Sequence, residues 1–380
     1  MLRCSVCHET YEEILRLWRC PCGGALSLEI DETFFPGPEE LKRRSLSIWR
    51  YKEALPLKIG TEPVSLGEGR TPLVPALWKD HKIFFKLDFL LPTGSYKDRG
   101  IAYQMTKLKE HGLQTIIEDS SGNAGASMAA YAARAGIRCR VFVPAYTSAG
   151  KCVQIESYGA ELVKVPGSRE ETTLVTEQAS QEFYYASHNW SPYFIHGVKT
   201  YAFELWEQLG YAVPDYVIVP AGQGSLVLGC YLAFRHLLAA GKISRLPKIV
   251  AVQARGCAPL YEGFVRGDMD PFPIEKRETI AEGISSAHPV RGRQVLGAVR
   301  ATEGMCIAVE DGETWEAFDM LACKGFYVEP TSAVVGAALS KLIADDVISR
   351  DQTVVAFLSG SGLKATDKIL HRKEVKGIEP

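Results

Sequence analysis

From residue 83 onward, short runs of apolar and β-branched residues alternate with longer stretches whose apolar residues recur at helical spacing. This alternation restricts the chain to an α/β fold with largely parallel strands. Residues 83–87, 115–118, 138–143, 161–165, 216–219, 249–253 and 354–358 read as strands, and 123–136, 172–183, 198–210, 225–240 and 332–344 as helices. Four glycine- and hydroxyl-rich turns follow strands and precede helices: Pro92 to Gly100, Ser120 to Gly125, Pro220 to Ser225, and Leu358 to Gly362. Open parallel sheets collect their ligands at such junctions. One turn of this kind is explained as readily by packing as by binding, but four with complementary chemistry point to one shared site.

The chain has 380 residues, 46% of them hydrophobic and 23% charged, which is ample for a core and favours more than one domain. A formal net charge of −2 leaves no excess of cations to neutralise a nucleic-acid backbone, so nucleic acid is excluded as an expected partner. No window approaches a membrane span and no basic-apolar leader opens the chain, so the expected location is the cytoplasm, with no membrane partner.

Ten cysteines fall into two classes. Cys139, Cys152, Cys230, Cys257, Cys306 and Cys323 are scattered and read as small core residues. Cys4-x2-Cys7 and Cys20-x-Cys22 instead form two knuckles twelve residues apart, the pattern of a compact ribbon in which four thiolates surround a structural zinc ion, or of a metal-free remnant of one, with His8 beside Cys7 leaving the ligand set open. Tyr11, Ile14, Leu15, Leu17 and Trp18 would cover it. The segment that follows is acidic and then mixes prolines with Trp49 and Tyr51, as expected of an arm laid over a larger body. Those two aromatics are candidates for packing against a second subunit.

Lys97 stands just after Thr93-Gly94-Ser95-Tyr96, and an amine on a defined turn can form a Schiff base where burial or charge tunes it. By itself, Lys97-Asp98-Arg99 reads equally as a charged surface turn. Ser121, Gly122, Asn123, Ala124 and Gly125 open a helix whose N–H groups can hold a carboxylate. Asn123 is either an ordinary helix cap or an amide for a ring oxygen. Gly222, Gln223, Gly224, Ser225 and Leu226 can cradle a phosphate dianion, yet they match neither the nucleotide P-loop nor the dinucleotide glycine pattern. Ser359 offers a hydroxyl to a ring nitrogen.

Together these residues resemble the pyridoxal-phosphate enzymes of the tryptophan-synthase β-like group, and most closely the threonine-synthase family. The likeness runs through Gly67-Glu68-Gly69-Arg70-Thr71-Pro72-Leu73, the Pro92 to Gly100 lysine motif, the Ser121 to Gly136 helix and Ser359-Gly360-Ser361-Gly362. It implies a two-domain enzyme with mostly parallel sheets. Residues 1–30 form the ribbon and 31–64 the arm, while 65–100 and 201–380 form a large cofactor domain and 101–200 a small mobile α/β domain. The resemblance further implies a homodimer and a small-molecule amino-acid substrate. Lys97 would carry pyridoxal 5'-phosphate as a Schiff base, Asn123 would bond its phenolic oxygen, Gly222 to Leu226 its phosphate, and Ser359 its ring nitrogen. The implied reaction converts O-phospho-L-homoserine and water into L-threonine and phosphate.

That substrate requires a second phosphate pocket, for which Ser95, Ser168, Arg169, Ser191 and Lys199 are the polar candidates. Here the sequence departs from the family's Asn-Pro-x-Arg-x-x-Gly pattern, with Ser191 in place of asparagine and Phe194 in place of arginine. An apolar pocket would instead favour a threonine or serine dehydratase. A diaminopropionate ammonia-lyase or a cysteate synthase-like enzyme would share the same cofactor residues. A non-catalytic assembly protein would need no intact lysine.

Overall fold

The computed structural model describes residues 1–13 and 17–375; Ile14 and Leu15, expected to cover the ribbon, lie outside the described residues. The chain gathers into two compact units. The first comprises Met1–Arg70, Leu91–Glu204 and Arg235–Lys242, and the second Thr71–Leu90, Leu205–Phe234 and the described chain from Ile243 onward. Residues 91–100, grouped above with the larger domain, therefore belong to the first unit.

The second unit is built on a six-stranded sheet in the order Met305–Val309, Lys248–Ala254, Tyr216–Pro220, Val354–Leu358, His81–Leu87, Leu73–Trp78. All neighbours run parallel except the last pair, in which Pro75 lies opposite Phe84. The edge position tolerates a proline that cannot donate to a ladder, and the same proline hides this strand from a reading of the sequence. Met305–Val309 escapes for another reason: Met-Cys-Ile-Ala-Val is poor in β-branched residues. The Pro330–Ala344 helix lies buried among the sheet's core residues. Gly336 gives the Trp78 ring room, since a Cβ there would lie 2.9 Å from it, and Trp78 Nε1 donates to Ser340 Oγ at 3.1 Å.

The first unit carries a four-stranded parallel sheet in the order Glu161–Val165, Arg138–Pro144, Thr115–Glu118, Tyr184–Tyr185. A separate antiparallel sheet of Thr10–Tyr11, Leu2–Cys4 and Leu26–Leu28 forms the ribbon. The arm packs within its own chain. Tyr51 is fully buried, with its ring 6.1 Å from Phe35 and 5.2 Å from Phe203, so it offers nothing to a second subunit, contrary to expectation. Trp49 donates from Nε1 to Glu68 at 2.9 Å.

Lys199, expected among the substrate residues, is also fully buried in this unit. Its Nζ lies 5.9 Å from the Phe203 ring centre and has no hydrogen-bond partner among the described residues. Burial drives its pKa down to about 7, with Glu32 opposing the shift and Arg235 adding to it. The unfolded lysine keeps its ordinary higher pKa, so the folded state gives up its proton first, and stability rises with pH from about 7 toward the ordinary lysine value. Lys199→Met should therefore stabilise the protein by about 1–4 kcal/mol below neutral pH. Urea titrations across pH should show that gain shrinking as the solution becomes alkaline, and a pH-independent difference would contradict it.

Candidate active site

In the first unit, Lys97 opens the Lys97–Glu110 helix and is only partly buried, while the next two residues are buried completely. Asp98 accepts from the Thr93 amide at 2.7 Å, from Thr93 Oγ1 at 2.5 Å and from Ser127 Oγ at 2.7 Å. Arg99 forms a two-pronged bond with Glu204 at 2.6 and 2.8 Å, both side chains having no exposure. The charges that flank Lys97 are thus internal fastenings, and the reading of a solvated surface turn does not hold. They fix the lysine's backbone.

Lys97 Nζ donates to Tyr96 Oη at 2.8 Å and lies 4.6 Å from the centre of the Tyr96 ring and 5.4 Å from that of Phe194. Phe194 reaches this position because two glycines let the helices touch. A Cβ on Gly100 would lie 2.3 Å from the Phe194 ring, and one on Gly197 would lie 2.2 Å from the Arg99 carbonyl oxygen. Beside the lysine motif, Ser95 Oγ is buried with no partner among the described residues.

The carboxylate-type turn lies in the same unit. Gly122 occupies the cap position of the Asn123–Ala135 helix, so Asn123 is not the cap. Gly125 is required sterically, since a Cβ there would sit 1.8 Å from the Ser120 carbonyl oxygen. Two other candidate hydroxyls are engaged with backbone amides. Ser168 accepts from Glu171 N at 3.1 Å in a capping box, and Ser191 accepts from Tyr193 N and Phe194 N at 3.2 and 3.3 Å. Arg169, at the start of the Arg169–Ala179 helix, pairs with Asp119 at 2.8 Å through Nη2, and its Nη1 has no partner among the described residues.

One residue that the sequence reading passed over belongs to this group. His188 Nδ1 lies 3.2 Å from Glu118 Oε1, and the imidazole meets the Phe194 ring edge-on at 5.5 Å. Nothing local in Ser187-His188-Asn189 marks it; only the sheet brings residue 188 beside residue 118.

The second unit holds the phosphate-type cradle. Gly222 lies so close to the 282–284 turn that a Cβ would come within 2.8 Å of Ile284 Cα, and Gly224, at φ +83°, leaves no room for a Cβ against Val295. The turn runs into the N-terminus of the Ser225–Ala239 helix, whose dipole favours a dianion. Gln223, expected to touch the phosphate, spends its side-chain amide on structure, donating to Ser286 Oγ at 2.7 Å and accepting from Val290 N at 2.8 Å. Ser359 is buried and lies 2.9 Å from Ser332 Oγ, which also accepts from the Ser359 and Gly360 amides.

In the ribbon, the Sγ atoms of Cys4, Cys7, Cys20 and Cys22 all lie within 4.8 Å of one another. The closest pairs, Cys4 with Cys22 and Cys7 with Cys20, are 3.4 and 3.5 Å apart. Sulfurs around one tetrahedral zinc ion stand about 3.8 Å apart, so the set has the dimensions of a metal site. The Tyr11 hydroxyl beside Cys20 pulls that thiol down to about 6. A Cβ on Gly24 would strike Cys4 Sγ at 2.5 Å, which explains the glycine after the second knuckle.

The first unit thus carries a lysine beside aromatic rings and an orphaned hydroxyl, and the second a glycine cradle at a helix start and a buried serine. Residues 64–360 match the family of pyridoxal-phosphate dependent enzymes. The chain is 36% identical to threonine synthase of Methanocaldococcus jannaschii, covering 98% of this chain and 95% of that one. It is 34% identical to threonine synthase of Methanosarcina acetivorans, covering 97% and 93%, and 37% identical to that of Synechocystis, covering 83% and 82%. Among solved structures, maize serine racemase shares the fold with a TM-score of 0.68 at 24% identity, covering 82% of this chain and 94% of that one. Threonine deaminase isoform 2 from Solanum lycopersicum does so with a TM-score of 0.68 at 20% identity, covering 81% and 84%. The chain belongs to the pyridoxal-phosphate-dependent enzymes, and within them to the threonine synthase family.

Removing the Glu204 carboxylate would take the buried Arg99 guanidinium's charged partner away and would also strip the Arg70 amide of its 2.7 Å acceptor. Glu204→Ala should cost about 3–5 kcal/mol in urea unfolding. A loss below about 1 kcal/mol would show that the pair does not fasten this helix.

Proposed function

We propose that the protein converts O-phospho-L-homoserine and water into L-threonine and phosphate, using Lys97 as the cofactor lysine. The observation that carries this reading is likeness to threonine synthases over nearly the full length of both chains. The deaminase and racemase neighbours share the fold at lower identity and support no separate activity.

The residues divide the work by their chemistry. The Lys97 amine holds the cofactor and, once displaced by the substrate amine, takes the proton from the α-carbon. Asn123 would bond the cofactor's phenolic oxygen, the Gly222 to Leu226 amides would hold its phosphate, and Ser359 would meet the ring nitrogen. A neutral hydroxyl at that nitrogen suits elimination and replacement better than transamination. When bound, the cofactor withdraws the electron pair left at the α-carbon. The turn from Ser121 to Gly125 holds the substrate carboxylate. Ser95, Arg169, Ser168 and Ser191 are the candidates for the substrate phosphate, since a hydroxyl that accepts a backbone amide keeps its own O–H to donate, whereas Lys199 is sealed in the core.

Structural zinc in the four-cysteine ribbon, a cytoplasmic home and a homodimer complete the proposal. The closed thiol set supports the zinc: four cysteines leave no position for water, so the ion would hold the ribbon and take no part in the reaction. Light scattering should give twice the 41.8 kDa chain mass.

Cofactor-loaded protein should release phosphate and L-threonine in equal amounts from O-phospho-L-homoserine. Lys97→Ala should lose both the turnover and the visible absorbance of the bound cofactor. A yellow protein that yields neither product would reject the substrate while keeping the cofactor. Elemental analysis should find one zinc per chain, lost in Cys20→Ser; metal-free protein with a native ribbon would reject the ion.

A further inference from the structure

Phe194 stands where the family's Asn-Pro-x-Arg-x-x-Gly pattern has arginine, so no guanidinium at that position is available to a substrate phosphate. Within the first unit, the buried polar groups near Lys97 converge on the end of the Thr115–Glu118 strand. Glu118 is fully buried and holds His188 by the ring, at 3.2 Å, and by its backbone amide. The same Phe194 ring carries Lys97 Nζ at 5.4 Å and the His188 imidazole at 5.5 Å. One phenyl group therefore spaces the reacting amine from the imidazole. His188 keeps a side-chain exposure of 10%, and its described hydrogen bond is made through Nδ1, which leaves Nε2 for a ligand. Arg169 pairs through Nη2 with Asp119, the residue after Glu118, at 2.8 Å, and its buried Nη1 is without a partner among the described residues.

We infer that His188, oriented by Glu118, hydrogen-bonds the phosphate of the substrate together with Arg169, and so selects a phosphorylated amino acid. This inference rests on the reading of the reaction given above and extends it to a residue outside the four turns.

The protonation states suit the task. Burial, reinforced by the charge of Asp119, holds Glu118 well above the usual carboxylate range, against the pull of Arg169 and Lys97. Burial, with Lys97 and Arg169 adding to it, holds His188 well below its ordinary value. In the arrangement we infer, a protonated Glu118 donates to His188 Nδ1 across the 3.2 Å contact, which leaves Nε2–H as a donor. Phosphate oxygens accept from such a group, whereas a dehydratase substrate presents no dianion to it. Glu118 is a positioning residue in this arrangement and His188 the contact.

The test compares two probes on cofactor-loaded protein, read by the change in cofactor absorbance: 2-amino-5-phosphonopentanoate, and L-norvaline, which lacks the phosphonate. His188→Asn and Glu118→Ala should raise the Kd of the phosphonate about 10- to 100-fold, as expected for a lost hydrogen bond to a charged group. They should leave norvaline unchanged. Glu118→Gln should keep wild-type phosphonate affinity, because its neutral amide can still donate to Nδ1. Retained cofactor absorbance shows that each variant has folded. Equal losses for both probes, or none for the phosphonate, overturn the assignment. Wild-type turnover of O-phospho-L-homoserine is measured first. Its absence brings down the reaction itself, whereas turnover with unchanged phosphonate affinity in His188→Asn brings down only the role of His188.

Discussion

The buried fastening of Asp98 and Arg99 is the constraint on which the rest of the first unit depends. Asp98 ties the helix start back to Thr93 and across to Ser127, while Arg99 ties it to Glu204. Two desolvated charges next to the Lys97 amine cost free energy unless every bond is made. Here Asp98 accepts three bonds and Arg99 meets its carboxylate with both terminal nitrogens.

The ribbon braces the same region. Trp18 sets its ring edge-on to Tyr185 and Trp190 at 4.9 and 5.5 Å, and the Arg19 guanidinium lies 4.5 Å from the Trp18 ring. Glu13 meets Lys107 of the Lys97–Glu110 helix at 2.9 Å and accepts from Tyr193 at 3.3 Å. The segment 184–194, which carries His188 and Phe194, is thus held by the ribbon on one side and by Gly100 and Gly197 on the other. A small metal-type module far from the reaction in sequence supports residues that stand beside the lysine.

Much of this was legible beforehand. The strands at 115–118, 161–165 and 354–358 lie where apolar runs placed them, and each glycine-rich turn does join a strand to a helix. The four cysteines converge as their spacing implies. Other features were hidden for identifiable reasons. Pro75 masks an edge strand, Tyr51 is drawn inward by Phe35 and Phe203, Ser168 proves to be a helix cap, and the Ser191 hydroxyl accepts from the Tyr193 and Phe194 amides. A hydroxyl's employment depends on which amide stands nearby, and that is settled by local backbone geometry that composition does not reveal.

By itself the sequence determined the α/β class, the lysine and glycine turns, and the cysteine ribbon, because those features depend on periodicity and on residues adjacent in the chain. Tertiary structure alone decided that Asp98 and Arg99 are internal, that Lys199 is sealed away, and that His188 meets Glu118. Burial and long-range pairing set those outcomes. An ionisable side chain acquires its role from the partners and solvent that folding brings to it, and for Arg99 and Glu204 these come from 105 residues away.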